Sequence, residues 1–373
     1  MKLAINATMI GEKQTGSGVY SLNILKELSK NIHNLGGEVV VYTAFPEGLK
    51  GLNLNIKALS KNIQPRYNKK SAILRFIWSQ VLYPGEIKKE KYNLVYNTTH
   101  HGSLFIDNQI LTILDLLPLH FPRQHILQHY YFKYILPEIA KKAKKIITIS
   151  NNTKMDILKY YKLPEEKVKV VLCGYDKNMY YVREDAKVII KNKYKLEDYI
   201  LIVGTSYPHK NVERVLNAYS TIKTNTKLVI VGNGKKEYRK LLIKTINNKG
   251  LNNKVIILDL VTVEDLPYLY SAAKLFVFAS LYEGFGLPTL EAMACGIPTI
   301  ISNTSSFPEV GGDAAYYIDP YNELSIVGAM NICLSDNNLR NNLISKGLER
   351  VKLFSWEKAA KEIIGILKEV NEK

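Results

Sequence analysis

Residues 274–302 read KLFVFASLYEGFGLPTLEAMACGIPTIIS. KLFVFAS (274–280) is the short unbroken apolar run that a strand buried on both faces requires. Gly284 and Gly286 punctuate the loop behind it, LPTLEAMACG carries apolar residues at helical spacing, and Pro288 suits the first helical position. IPTIIS (297–302) is a second buried strand. Strand, loop, helix and strand form a βαβ unit, so the stretch predicts an α/β protein with an open, mostly parallel sheet. At its strand-to-helix turn the backbone N–H groups of residues 284–288 are expected to face the crevice beyond the strand end, which makes an anion pocket. The glycines let a ligand approach the backbone.

The same alternation extends outward. DYILIVGT (198–205), KLVIVGNG (227–234) and KVIILDL (254–260) read as strands of the same sheet, separated by the helix-like NVERVLNAYSTI, KKEYRKLLIKTINN and VEDLPYLYSAA. Further upstream, KLAINATM opens the chain as a strand, followed by a Gly loop and the helix-like VYSLNILKELSKNI. EVVVYTAF (38–45), YNLVYNTT (92–99), QILTILDL (109–116) and KIITIS (145–150) supply four more strands. Core-like composition lapses over 174–198. The economical reading is therefore two successive doubly wound units, residues 1–175 and 176–354, with an amphipathic helix at 355–373 for which Ser355 is the candidate N-cap. A length of 373 residues fits two domains.

Composition narrows the function classes. A hydrophobic share of 46% with 23% charged residues excludes a disordered chain. No apolar run approaches the ~18 residues of a membrane span, and the opening residues lack a signal peptide's pattern, so a cytoplasmic protein is expected. Cys173, Cys295 and Cys333 lie far apart without a CxxC pair, which argues against zinc, disulfides and thioredoxin-like chemistry. The net charge of +17 is uneven: residues 1–180 hold 26 Lys/Arg against 13 Asp/Glu, and the remainder 25 against 21. Such a field attracts polyanions or anionic lipid, and it also serves solubility alone. No zinc-finger or RRM signature accompanies it, which leaves a basic nucleic-acid binder as the non-enzyme alternative, without nucleic acid as the expected partner. Neither Gly loop gives the G-x-G-x-x-G and acidic residue of a dehydrogenase.

Glu283 and Glu291 stand eight apart, one on the loop and one a turn into the helix, so both can point into one crevice and accept from a hydroxyl-rich ligand. Alone, two glutamates there equally suit the helix dipole. The run EGFGLPTLEAMACGIPTIISNTSSFPEVGGDAAYYIDP (283–320) resembles the signature of retaining family-4 glycosyltransferases, whose E-x7-E motif is matched by Glu283 and Glu291. The resemblance covers nearly the whole chain. It implies the GT-B fold, with two Rossmann-like doubly wound domains facing across a cleft and a C-terminal helix that crosses back to the first domain. It further implies a nucleotide-sugar donor as substrate, no cofactor and no metal, and a glycan or lipid-linked glycan acceptor in cell-surface polysaccharide biosynthesis. GDP-mannose is the first expectation for the donor, with retention of anomeric configuration. A nucleotide-sugar hydrolase, epimerase or phosphorylase on the same fold is the enzymatic alternative.

The resemblance assigns donor-sugar contact to Glu283 and ribose contact to Glu291; the anion pocket read from the strand-to-helix turn makes Gly284, Phe285, Gly286 and Leu287 donor-binding candidates beside them. Gly204-Thr205-Ser206-Tyr207-Pro208-His209-Lys210-Asn211 resembles the family's GT-x-x-P-R-K-N segment, which makes Thr205 and Lys210 candidates for the donor phosphates; Thr205 or His209 stands where relatives often carry arginine. Gly16 and Gly18 resemble TG-x-G-R-Y, with Val19 in place of the arginine. Relatives read T-x-H-D-L where this chain has Thr112-Ile113-Leu114-Asp115-Leu116, so Asp115 is either catalytic or structural, and His100, His101 or His120 is expected to serve for the histidine missing at Leu114. QHILQHYYFKYILPEIAKKAKK (124–145) is either a packed helix with a solvated Lys-rich end or a peripheral contact with an anionic membrane face.

Overall fold

The computed structural model describes residues 1–12, 15–65, 69–205, 207–232 and 234–372. Two compact units result, one of Met1–Gly174 with Ser355–Lys373 and the other of Tyr175–Phe354.

In the first unit, seven parallel strands run β1 (Lys2–Asn6), β2 (Glu38–Thr43), β3 (Asn55–Ala58), β4 (Leu94–Asn97), β5 (Gln109–Ile113), β6 (Lys145–Thr148) and β7 (Val168–Val170). Their spatial order is β3-β2-β1-β4-β5-β6-β7. Leu3–Asn6 of β1 pair in register with Val39–Tyr42 on one side and Leu94–Asn97 on the other. The chain thus winds outward from β1 and then restarts beside it at β4, and the β1/β4 junction is the place where a doubly wound sheet opens a crevice.

The second unit repeats this plan with β8 (Tyr199–Val203), β9 (Lys227–Val231), β10 (Val255–Leu258), β11 (Leu275–Phe278), β12 (Thr299–Ser302) and β13 (Tyr316–Ile318), ordered β10-β9-β8-β11-β12-β13. All its pairings are parallel. Leu275, Phe276, Val277 and Phe278 are buried because helices cover both faces of β11. Its switch point lies between β8 and β11.

The helix Trp356–Glu372 packs on the first unit: Ala360, Ile363 and Leu367 are fully buried, and Trp356 meets the Tyr20 ring edge-on at 5.9 Å. Gly174 is required where the chain passes it, since a Cβ there would lie 2.1 Å from the Trp356 nitrogen. Three local expectations change. Strands β3, β7 and β13 emerge where the sequence pattern shows none, and the polar stretch 174–198 contains a helix, Ala186–Tyr194. Pro288 is the second residue of its helix, which runs Leu287–Ala294.

Candidate functional site

At the switch point of the second unit, the loops after β8 and β11 are tied together by Asn211. Its backbone is left-handed at φ +60°, a conformation that asparagine tolerates better than most residues, and its side-chain amide donates to the carbonyls of Ala279 (3.0 Å) and Pro320 (2.7 Å). The Leu281 N–H donates to the His209 carbonyl at 2.8 Å. These ties bring Lys210 Nζ to 2.6 Å from Glu283 Oε1, both side chains being more than four-fifths buried, with the ammonium 5.2 Å from the centroid of the Phe278 ring. The loop itself is pinned by the segment after β12: Ser305 Oγ accepts from Glu283 N–H and donates to the Glu283 carbonyl, and Ser306 Oγ lies 3.0 and 2.9 Å from the carbonyls of Glu283 and Phe285. Neither serine was singled out from the sequence, although both lie in the SNTSSFPE stretch of the recognised run.

Gly286, at φ +95°, turns the chain into the helix. Pro288 brings no N–H, so the expected amide cluster narrows to residues 284–287, of which Phe285, Gly286 and Leu287 stand at the helix start. The Phe285 ring is buried edge-on against Phe354, and only its backbone is placed for a ligand. One turn on, Glu291 Oε2 accepts from the Tyr270 hydroxyl at 3.1 Å. Burial pushes this carboxyl up to about 7, against the opposing pull of hydrogen bonds from Tyr270 and Tyr180.

Thr205 is 4% exposed and its hydroxyl donates to the Gly232 carbonyl at 2.9 Å, so it staples the loop after β8 to the one after β9. Ser206 lies outside the described residues. His209 is buried beneath Tyr207, with the two rings stacked at 5.6 Å. Above Tyr207 stands Lys235, its Nζ 4.4 Å from the ring centroid. Sequence reasoning overlooked this second cation, whose signal was the Gly-Lys-Lys that follows β9.

The corresponding place in the first unit is built from neutral groups. Asn6 Nδ2 donates to Asn97 Oδ1 (3.0 Å) and to the His101 carbonyl (2.8 Å), while Thr8 Oγ donates to Asn6 Oδ1. Ser21 joins the helix Gly16–Lys30 to Thr98 at the end of β4. Gly16 and Gly18 belong to the first turn of that helix, capped by the Thr15 hydroxyl. A Cβ at Gly18 would press on the Met9 carbonyl at 2.9 Å, whereas nothing lies within 4 Å of one at Gly16. The rings of His100 and His101 are 4.2 Å apart. Burial, with the Arg75 guanidinium adding to it, lowers His100 to about 3 and His101 well below the usual imidazole range, so both are neutral at ordinary pH.

Asp115 and His120 lie one strand further on, beyond β5. Asp115 Oδ1 accepts from Leu117 N–H at 3.0 Å, and His120 Nε2 lies 3.0 Å from Asp156 Oδ2. Leu114 is buried. Among the described residues no group of three or more His, Cys, Asp or Glu is placed to hold a metal ion, and no helix is long and apolar enough to cross a membrane.

A doubly wound unit with a lysine–glutamate pair and a helix start at its switch point, joined to a second unit of the same plan, is the construction of a GT-B glycosyltransferase. The chain belongs to the family-4 group of these enzymes: residues 16–178 match Glycosyltransferase Family 4 and residues 183–350 match Glycosyl transferases group 1. It is 32% identical to O-antigen chain mannosyltransferase B of Escherichia coli over 283 residues, 72% of this chain and 74% of that one. Against O-antigen chain mannosyltransferase RfbU of Salmonella typhimurium it is 29% identical over 326 residues, 87% and 88% of the two chains. Among solved structures, sucrose-phosphate synthase from Thermosynechococcus elongatus superposes with a TM-score of 0.79 at 18% identity, covering 98% of each chain. Anabaena HepE in complex with UDP and glucose gives 0.78 at 18% identity over 99% and 100%. Both likenesses show the GT-B fold.

Proposed function

We propose that this glycosyltransferase moves mannose from GDP-mannose to a glycan or lipid-linked glycan acceptor during assembly of a cell-surface polysaccharide, at the cytoplasmic side of the membrane. The sugar and the pathway rest on the names of its relatives. The chemistry rests on one observation: Lys210 and Glu283 form a nearly buried pair beside the helix-start amides of Phe285–Leu287.

As the glycosidic bond breaks, negative charge collects on the departing diphosphate. Lys210, turning from Glu283 to a phosphate oxygen, supplies a compensating charge in a site from which water is largely withdrawn, and the helix-start amides add fixed donors. Glu283 is then released to accept from a sugar hydroxyl and to favour the oxocarbenium-like transition state. Glu291, beneath the crevice on its two tyrosines, accepts from the ribose hydroxyls when ionised. Lys235 stands as the reserve cation where relatives use arginine. Since lysine and amides provide the positive charge, the reaction is read as metal-independent. Retention follows if the leaving phosphate oxygen takes the acceptor's proton, a role for which the neutral, weakly basic His100 and His101 are poorly suited. In the first unit, Gly16 leaves the helix start approachable.

A melting-temperature panel of GDP-, UDP-, ADP- and dTDP-sugars, with and without Mg²⁺, tests the reading, because a ligand of the native state raises the transition by mass action. A shift with GDP-mannose, independent of Mg²⁺ and reduced in Lys210→Ala, supports it. A shift confined to another nucleotide replaces the donor. Donor turnover in acceptor-free buffer at the full rate makes the enzyme a hydrolase instead.

A further inference from the structure

Arg75, on the helix Lys69–Ile77 of the first unit, is a buried cation without a counter-charge among the described residues. It is 6% exposed, and its guanidinium makes one bond there, from Nη1 to the Ile63 carbonyl at 2.9 Å. Its Nε–H is buried without a partner. Burial alone lowers its pKa, to about 10, and no carboxylate opposes that, so the group is charged at neutral pH and stays unneutralised. Buried charges are ordinarily paired, because taking one out of water costs far more than a single carbonyl bond returns.

The cation lies where the segments that follow β1, β3 and β4 meet. Gly11, beyond β1, is packed so closely on the segment beyond β3 that a Cβ on it would come within 2.8 Å of the Pro65 ring and 3.3 Å of Gln64 Cγ. Ile63, which receives the Arg75 bond, belongs to that same segment. Beyond β4, burial first and the Arg75 guanidinium after it keep His100 and His101 unprotonated. In an open parallel sheet this carboxyl-end corner is where ligands enter. Both imidazoles are partly exposed, and each neutral ring carries one N–H. His101 Nδ1 lies 3.0 Å from the Thr99 hydroxyl, and when that hydroxyl donates, the ring proton is on Nε2.

We propose that this corner is an anion subsite for the acceptor, with the Arg75 charge behind the His100 and His101 rings drawing in a phosphate or carboxylate carried by the glycan or by its lipid. The inference rests on the proposed function and adds that the acceptor is charged where it meets the first unit. A hydroxyl gains little from an unneutralised guanidinium. An oxyanion gains a strong attraction in a poorly solvated corner, together with the imidazole N–H donors. The contrast with the donor crevice is one of order. There Lys210 already has Glu283, and an arriving phosphate must displace a carboxylate; at Arg75 the ligand supplies the charge that the fold leaves out.

Thermal melting of the full chain tests it, with GDP at saturation to fill the donor site and inorganic phosphate compared with sodium chloride at equal ionic strength. Wild type should melt a few degrees higher in phosphate than in chloride. Arg75→Gln keeps a donor for the Ile63 carbonyl but not the charge. It should lose the phosphate gain and melt in chloride at or above the wild-type temperature, since a buried charge without a partner does not stabilise the fold. Arg75→Lys, which restores the charge, should recover part of the gain, and His101→Ala should reduce it. Farnesyl diphosphate and methyl glucuronide in place of phosphate separate the two sources: an Arg75-dependent gain with the first assigns the anion to a lipid carrier, and with the second to an acidic sugar. Absence of a phosphate gain in folded wild type overturns the proposal, as does a gain that Arg75→Gln retains. Should Arg75→Gln fail to fold, an undiminished gain in His101→Ala overturns it instead. An Arg75-dependent phosphate gain without any nucleotide-sugar shift leaves the subsite standing and removes the proposed function.

Discussion

Beyond β8 and β11 the chain places an ion pair, a carboxyl with raised affinity for its proton and a helix start; at the equivalent place beyond β1 and β4 it places asparagines, threonines and two neutral histidines. The two sheets share a strand order and a switch point, so the difference is not one of topology. It tracks what each crevice is proposed to hold. A departing diphosphate needs buried charge that can be redirected, whereas a sugar hydroxyl needs neutral donors and acceptors of fixed direction. One winding plan serves both because its loops, and not its strands, carry the chemistry.

The strongest way to break this comparison is to remove the charge from the second unit. Glu283→Gln keeps a hydrogen-bonding side chain but not the carboxylate, and mannosyl transfer should fall by at least about 100-fold in kcat, read as labelled sugar moved to the acceptor. Lys210→Ala should cost about 100-fold in kcat/KM and weaken GDP-mannose binding, because the phosphate charge then loses its nearly buried cation. Variants that turn over at the wild-type rate, alongside an inactive His101→Ala, would reverse the roles of the two crevices.

Glu291 sharpens the same contrast through pH. Burial raises its folded-state affinity for a proton to about 7, so the folded chain holds that proton in a range where the unfolded chain has released it. The resulting stabilisation is fully present below the ordinary carboxylate range and is lost as pH rises through about 7, so Glu291→Gln should gain stability relative to wild type above pH 7. Nucleotide affinity should run the other way, strengthening from pH 6 to pH 8 as the carboxylate becomes able to accept from ribose, with the slope absent in Glu291→Gln. Titration calorimetry at both pH values measures it. His100 and His101 add no inflection in that window, being held neutral.

The armed crevice was legible in the sequence and the neutral one much less so, for a physical reason. Charged residues beside glycines at the end of a buried strand are conspicuous, and Glu283, Gly286, Lys210 and Glu291 all stand out from the apolar runs β8 and β11. Asn6 and Asn97 lie inside the strands they terminate, where the pattern reads only burial. The same rule governs the fold. Central strands are covered on both faces and read as unbroken apolar runs, whereas β3, with the exposed pattern of Asn-Ile-Lys-Ala at a sheet edge, carries no such signal, and β7 and β13 are three residues long. Asn211, Ser305 and Ser306 escaped for a third reason: they act by holding backbone, and their partners are distant in sequence.

The smallest expected effect bears on how each unit starts its helix. Gly16–Lys30 has its cap built in, since the Thr15 hydroxyl accepts from the Gly18 N–H at 3.2 Å. Leu287–Ala294 begins at Gly286, an N-cap with no side chain to offer a capping hydrogen bond. A capping hydroxyl and a bound anion compete for the same helix-start amides, so the first helix is stabilised in advance while the second retains its donors for a ligand. Thr15→Ala should therefore cost about 1 kcal/mol of stability, a fall of a few degrees in melting temperature, yet leave the GDP-induced shift at its wild-type size. If that shift declines together with the stability, the helix start of the first unit also holds the diphosphate, and the division between a charged donor crevice and a neutral acceptor crevice is less sharp than the side chains make it.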